Sequence, residues 1–271
     1  MITATASTSA GQSMMRAAAE TLKRLTLELG GHCPFVVLGD ADIAEAASAA
    51  ARRSFSNMGQ ICIAVNRILV ADGIHDEFVD ALAAETRRIK LGHGIEPGVA
   101  YGPVLHEGVR ARTREHVEDA LHRGGTLVVG GAAPRGTAYE RGFFFEPTLI
   151  DGAADDALVM TQESYGPIAS LRRVRDDAEA LAVANALPYG LAAYVYSRDL
   201  ERAWSFAERL ECGAVGVNVN DTTELQAPFG GWKLSGLGRE LGPEGLMAFR
   251  ETKHIKIRVR SRSTAPGQVG S

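Results

Sequence analysis

The stretch from Asp42 to Val70 constrains the fold most, because within it the chain reads as a capped helix, a glycine stop, a loop and a buried strand. Residues 43–56 are alanine-rich with a helical period, and Asp42 with Glu45 has the spacing of a capping box. Gly59 falls where a helix should stop. Ile68-Leu69-Val70 is a short apolar run of the kind that forms a buried strand. Cys62 is therefore expected in a bend between rigid neighbours, the support that a reactive thiol needs. A free cysteine is also among the most often buried residues, and Ile61, Ile63 and Ala64 around it would suit that plainer role.

The same alternation runs along the chain. Strand-like runs at 2–5, 24–29, 35–38, 126–129, 168–174, 191–197 and 214–219 alternate with helical patterns from Ser9 to about Lys23, and at 74–88, 107–123, 176–186 and 200–210. This is α/β architecture, and 271 residues can bury a sizeable core in one large or two smaller domains. Phe143-Phe144-Phe145 before Pro147 reads as core packing beside a turn.

Charge and cysteine usage narrow the function classes. Twenty-nine basic against thirty-three acidic residues leave a net charge of −4, which speaks against nucleic acid as a partner. No apolar run reaches the roughly 20 residues of a membrane span, and no secretory signal pattern opens the chain. Cys33, Cys62 and Cys212 are odd in number and lack metal-ligand spacing, so at least one thiol is free and a cytoplasmic, reducing setting is expected. The polar tail at 261–271 is expected to be disordered.

Four blocks carry a more specific signal. Leu27-Glu28-Leu29-Gly30-Gly31 comes first, followed by Gly59-Gln60-Ile61-Cys62 with Arg67 five residues beyond the thiol. Glu163-Ser164-Tyr165-Gly166-Pro167 comes next, and Pro228-Phe229-Gly230-Gly231-Trp232-Lys233 with Ser235-Gly236 and Gly238-Arg239-Glu240 comes last. In this order they resemble the aldehyde dehydrogenase superfamily, and four ordered blocks are far more specific than one. The resemblance implies an aldehyde dehydrogenase-like catalytic domain at 30–245, a residual strand–helix–strand piece of a Rossmann-like nucleotide-binding sheet at 1–29, and an oligomerisation strand at 246–260. It also implies oxidation of an aldehyde to a carboxylic acid with NAD or NADP. Cys62 would be the nucleophile and Glu28 the general base. Ser7, Leu29, Gly30, Glu163 and Tyr165 would meet the cofactor, Glu163 through the nicotinamide ribose, and no residue is assigned to a metal.

The departures from the family pattern matter as much. A Thr-Gly-Ser-Thr turn at the pyrophosphate reads Thr5-Ala6-Ser7-Thr8 here, which leaves a phosphate contact through Ser7 or an ordinary capped helix. His32-Cys33-Pro34 replaces Lys-Ser-Pro, Tyr165 stands where Phe is commoner, and nothing in the spacing demands a His32–Cys62 pair. The long N-terminal portion of the family, with most of the nucleotide sheet and a side-chain donor of the oxyanion hole, has no counterpart. The chain thus resembles the C-terminal half of such an enzyme. Three outcomes follow: an aldehyde dehydrogenase, a non-catalytic remnant that folds and self-associates, or a thiol esterase acting through Cys62 and Glu28. Lys253-His254-Ile255-Lys256-Ile257-Arg258-Val259 alternates like an exposed strand and, by the resemblance, would join a second copy in a homo-oligomer.

Overall fold

The computed structural model describes residues 1–259, so the expected disordered tail lies outside the described residues. In chain order the elements are β1 (Ile2–Thr5), α1 (Thr8–Ala19), β2 (Leu25–Glu28), β3 (Cys33–Val37), α2 (Ile43–Phe55), β4 (Val65–Ala71), α3 (His75–Arg87), α4 (Glu107–His122), β5 (Thr126–Val129), β6 (Thr148–Asp151), α5 (Leu158–Thr161) and β7 (Ile168–Val174). Then come α6 (Asp177–Asn185), β8 (Tyr189–Gly190), β9 (Ala192–Tyr196), α7 (Leu200–Glu208), β10 (Ala214–Val217), β11 (Trp232–Lys233), β12 (Gly236–Leu237) and α8 (Gly242–Met247).

The main sheet has seven strands in the order β10-β9-β3-β4-β7-β6-β5, all parallel to their neighbours except β5 on β6. Its central strands are apolar on both faces, which a strand needs when helices cover both sides of a parallel sheet. Phe35, Val37, Ile68, Val70, Tyr194 and Tyr196 point to one side, where the alanine face of α2 and Phe78 and Leu82 of α3 pack on them. The intervening Val36, Leu38, Leu69, Ala193 and Val195 point to the other, against α6 and α7. Four consecutive apolar residues are thus divided between two cores.

Helix starts follow from local chemistry. Asp42, Asp176 and Asp199 each accept the backbone N–H three residues on, at 3.1, 2.8 and 3.0 Å. The first helix departs from expectation: Ser7, not Ser9, is its cap, with Oγ accepting from Ala10 N at 3.3 Å, and the helix ends at Ala19. Leu22, in the left-handed region at φ 48°, turns the chain toward β2 soon after. β10 covers only Ala214–Val217 of the run expected at 214–219 and is half-buried, because it forms one edge of the sheet.

A second sheet, β1-β2-β12, holds the region expected to be a nucleotide-sheet remnant. β1 runs parallel to β2, and β12 covers the other side of β2 antiparallel, with Gly236 opposite Glu28. A strand too short to show any period in the sequence therefore ties the C-terminal glycine block to Glu28. Residues 253–259 pair with no strand among the described residues, and Ile255, Ile257 and Val259 are exposed.

Phe35 is fully buried and stacks on Tyr196, ring centroids 4.8 Å apart. Phe35→Ala should destabilise the fold by about 3–5 kcal/mol in urea unfolding. A loss below about 1 kcal/mol would mean that the ring does not anchor this core.

Candidate active site

The Cys62 loop is built from a run of left-handed residues. Asn57, Met58 and Gly59 have φ of 50°, 58° and 70° and swing the chain off the end of α2. Asn tolerates this region, but for Met58 it carries strain of order 1–3 kcal/mol. Burial offsets the strain, because the Met58 side chain packs into a core with Leu91, Val104, Val109 and Phe144. Gly59 is required for a second reason: a Cβ there would overlap the carbonyl of Gly166.

Hydrogen bonds then fix the turn. Gln60 donates from Nε2 to Asn57 O at 2.9 Å, Asn57 donates from Nδ2 to Gln60 O at 3.1 Å, and Gln60 Oε1 accepts Leu105 N–H at 2.8 Å. Beyond the thiol, the hydroxyl of Tyr194 donates to Ile63 O at 3.1 Å, and β4 begins at Val65. Cys62 is left half-buried in a turn, whereas Cys33 and Cys212 are buried.

Cys62 lines a cavity of about 370 Å³ together with Thr5, Ala6, Ser7, Leu29, Gly30, Arg112, Glu163 and Tyr165. That volume lies within the range of small-molecule sites. All five residues assigned to a cofactor from the sequence therefore line the same cavity as the thiol. Glu163 accepts Gly31 N–H at 3.1 Å through Oε1. Gly30 leaves room for that carboxylate, since a Cβ would overlap it.

Arg112 was not anticipated. It sits on α4 among Arg110 and Arg114, where one more basic residue on a charged helix gives no sequence signal. In the fold it supplies a cation on the cavity wall, and its charge opposes the burial that raises the Glu163 carboxyl.

Glu28 is placed differently. The residue is 3% exposed, its carboxylate has no hydrogen-bond partner on either oxygen, and it does not line the Cys62 cavity. It faces the C-terminal glycine block, where a Cβ on Gly230 would come within 2.8 Å of its Oε1. Burial pushes its carboxyl up to about 8, with the Glu240 charge adding to the shift and Arg239 opposing it. The Cys62 thiol is also raised, first by burial and then by the charges of Glu163 and Glu28, while the backbone N–H groups of Cys62 and Ile63 pull the other way. His32 does not pair with Cys62: its ring is buried beside Asn66, and burial holds it neutral, down to about 3.

Among the described residues, no cluster of three or more His, Cys, Asp or Glu could hold a metal ion, and no helix is long and apolar enough to cross a membrane.

A parallel α/β sheet with helices on both faces carries a half-buried thiol in a cavity shared with an acidic side chain, a basic side chain and the capped N-terminus of α1. The Aldehyde dehydrogenase family model matches residues 1–255, and the chain belongs to that family. It is 42% identical over 253 residues to the succinate semialdehyde dehydrogenase of Acinetobacter baylyi, a match covering 93% of this chain and 51% of that protein. Against the glutarate-semialdehyde dehydrogenase of Pseudomonas putida the identity is 40%, over 94% of this chain and 52% of the relative. The structure of betaine aldehyde dehydrogenase from Staphylococcus aureus in complex with NAD+ superposes with a TM-score of 0.90 at 36% identity, covering 93% of this chain and 50% of that one. The chain spans about half the length of the relatives it matches.

The Glu28 environment makes a signed prediction. With a carboxyl at about 8 in the fold and about 4.5 in the unfolded chain, the native state keeps a proton that the unfolded state has lost between those values. Stability should therefore fall as pH rises through that window, by at most about 5 kcal/mol. Glu28→Gln should remove the fall, so that its advantage in thermal midpoint over the parent grows from pH 5 to pH 9. An advantage independent of pH would place the ionised carboxylate in a solvated setting.

Proposed function

We propose that this protein acts in oxidising an aldehyde to a carboxylic acid with NAD or NADP, through a covalent intermediate on Cys62. The observation that carries the proposal is the meeting of Ser7, Leu29, Gly30, Glu163 and Tyr165, from three distant segments, with the thiol in one cavity. The semialdehyde dehydrogenases among the relatives favour a small aliphatic aldehyde or semialdehyde as substrate.

Cys62, as the thiolate, attacks the aldehyde carbon. The backbone N–H groups of Cys62 and Ile63, which already favour negative charge at the sulfur, would be the donors to the alkoxide that forms. A nicotinamide cofactor, when bound, supplies the hydride acceptor. Glu163 would hold its ribose with the carboxylate, Tyr165 would contact the ring, Arg112 would meet phosphate or ribose oxygens, and Ser7 at the α1 N-terminus would face the pyrophosphate. The residual thioester is then hydrolysed by water that Glu28 deprotonates. No hydrogen bond holds the Glu28 carboxylate in its present position, so a rotation toward the cavity breaks none. Burial raises the carboxyl to about 8 in its resting orientation, so rotation into the cavity, away from that burial, favours the ionised form that can act as the base.

One observation favours a second reading. With Glu28 protonated and off the cavity wall, the chain by itself would hold the site residues without turning over, as a non-catalytic form that self-associates. Self-association would use residues 253–259, whose apolar side chains Ile255, Ile257 and Val259 stand exposed and would be covered by a second copy. Light scattering should give a dimer or larger, and deletion of residues 253–259 should give a monomer. A monomeric parent would remove this contact.

Titration with NAD+ and NADP+, followed by protein fluorescence and thermal shift, tests the main reading. At least one should bind, and Glu163→Gln should weaken it about tenfold, the equivalent of one charge-assisted hydrogen bond. Cys62→Ala should reduce aldehyde oxidation and ester hydrolysis to background. Absence of binding by both dinucleotides would overturn the cofactor assignment. Ester hydrolysis that persists without cofactor and depends on Cys62 would instead identify a thiol esterase.

A further inference from the structure

The loop that carries Gly30 and Gly31 and the loop that carries Glu163 touch at two successive rungs. In the upper rung Gly31 N–H donates to Glu163 Oε1 at 3.1 Å. One residue further along each loop, His32 and Ser164 are bridged from below by Asn66 of β4. The Asn66 amide donates from Nδ2 to Ser164 Oγ at 2.9 Å and to Ile168 O at 3.2 Å, and its Oδ1 faces His32 Nδ1 at 3.3 Å. His32, Asn66 and Ser164 are each at most 2% exposed.

Two donations from Nδ2 fix which way the amide points, and so leave Oδ1 as an acceptor toward His32. The imidazole must then carry its proton on Nδ1, which a neutral ring can do. Burial and the neighbouring Arg67 charge keep the ring neutral. Each polar atom of Asn66 is thus used, at the start of the strand that leaves the Cys62 loop.

We infer that Asn66 is a positioning residue that sets the spacing between the Gly30-Gly31 turn and the Glu163 loop through His32 and Ser164, and so aims the Glu163 carboxylate into the cavity. The inference rests on reading Glu163 as a cofactor ligand only for its functional consequence; the spacing itself is a property of the chain alone. The lower rung supports the Gly31–Glu163 hydrogen bond from one residue away on both loops, and without the Asn66 bridge that bond can open more readily.

The test uses Asn66→Ala and the milder Ser164→Ala, which removes one hydroxyl and leaves the Asn66–Ile168 contact in place. Two quantities are read: hydrogen exchange of the Gly31 amide in the cofactor-free protein, and the Kd for NAD+ and NADP+. Exchange at Gly31 should rise at least tenfold in either variant, with the Phe35 and Leu69 amides of the central strands unchanged. The Kd of whichever dinucleotide the parent binds should rise about tenfold, and the double variant should be no worse than Asn66→Ala. Exchange that is unchanged at Gly31, or that rises equally at Phe35 and Leu69, would overturn the inference, the second outcome reducing Asn66 to a fold-stabilising residue. If the parent binds neither dinucleotide, the cofactor reading fails by itself, and the exchange measurement still decides whether the bridge sets the loop spacing.

Discussion

Backbone meets backbone where Gly59 lies against the Gly166 carbonyl, and the geometry of the site depends on that contact. Any Cβ at Gly59 would overlap the carbonyl group, and any Cβ at Gly166 would overlap Thr113 of α4. Three segments far apart in the chain are therefore stacked closely, the first two backbone on backbone and the third through the Thr113 side chain. Cys62, Tyr165 and Arg112 are each within a few residues of this stack, which is why they reach the same cavity wall. A left-handed backbone at Asn57 and Met58 is the strain that this approach entails, and burial of the Met58 side chain is what offsets it.

β4 carries the stack into the sheet. Its two polar residues are adjacent and both buried, and each spends its hydrogen bonds on neighbouring segments. Asn66 reaches His32 and Ser164, while Arg67 donates to His32 O, Val183 O and Ala184 O at 3.2, 2.9 and 3.2 Å. Val183 and Ala184 lie in the last turn of α6, where the carbonyl end of the helix dipole favours a cation. A buried guanidinium without a carboxylate is costly to desolvate, and burial lowers Arg67 to about 10. At that value it stays charged at neutral pH, with carbonyl dipoles in place of an ion pair.

Much of the fold was legible where a run of several residues carried its own period or cap, though not the bounds of α1, nor the alternating run at 253–259, which pairs with no strand among the described residues. The strands at Ile2–Thr5, Thr126–Val129 and Ile168–Val174 have the bounds that their apolar runs define, and Asp42 caps α2 where its spacing with Glu45 places it. What escaped was short or made elsewhere. β8, β11 and β12 are two residues each, too few for any period, and exist because a distant strand offers them hydrogen bonds. The placement of Glu28 escaped for the same reason, since its neighbours Gly230, Arg239 and Glu240 come from the far end of the chain. The motif blocks identified the residues that share the cavity with Cys62, but Arg112 looks like any other basic residue of α4 until the helix is packed.

Burial acts on the ionisable groups of the site in one direction. Cys62, Glu163 and Glu28 are all pushed toward their protonated forms, and the negative forms of the two carboxylates push the thiol further the same way. Arg112 on the cavity wall is a partial counterweight, acting on Glu163. Such a site is quiet at rest, because forming the thiolate sets a new charge beside existing ones in a poorly solvated space. The same low polarity strengthens the effect of any cation that enters. A positive group bound in the cavity would favour the Cys62 thiolate and the Glu163 carboxylate, the two groups that line it, so that charge in the cavity and ionisation of the thiol act together.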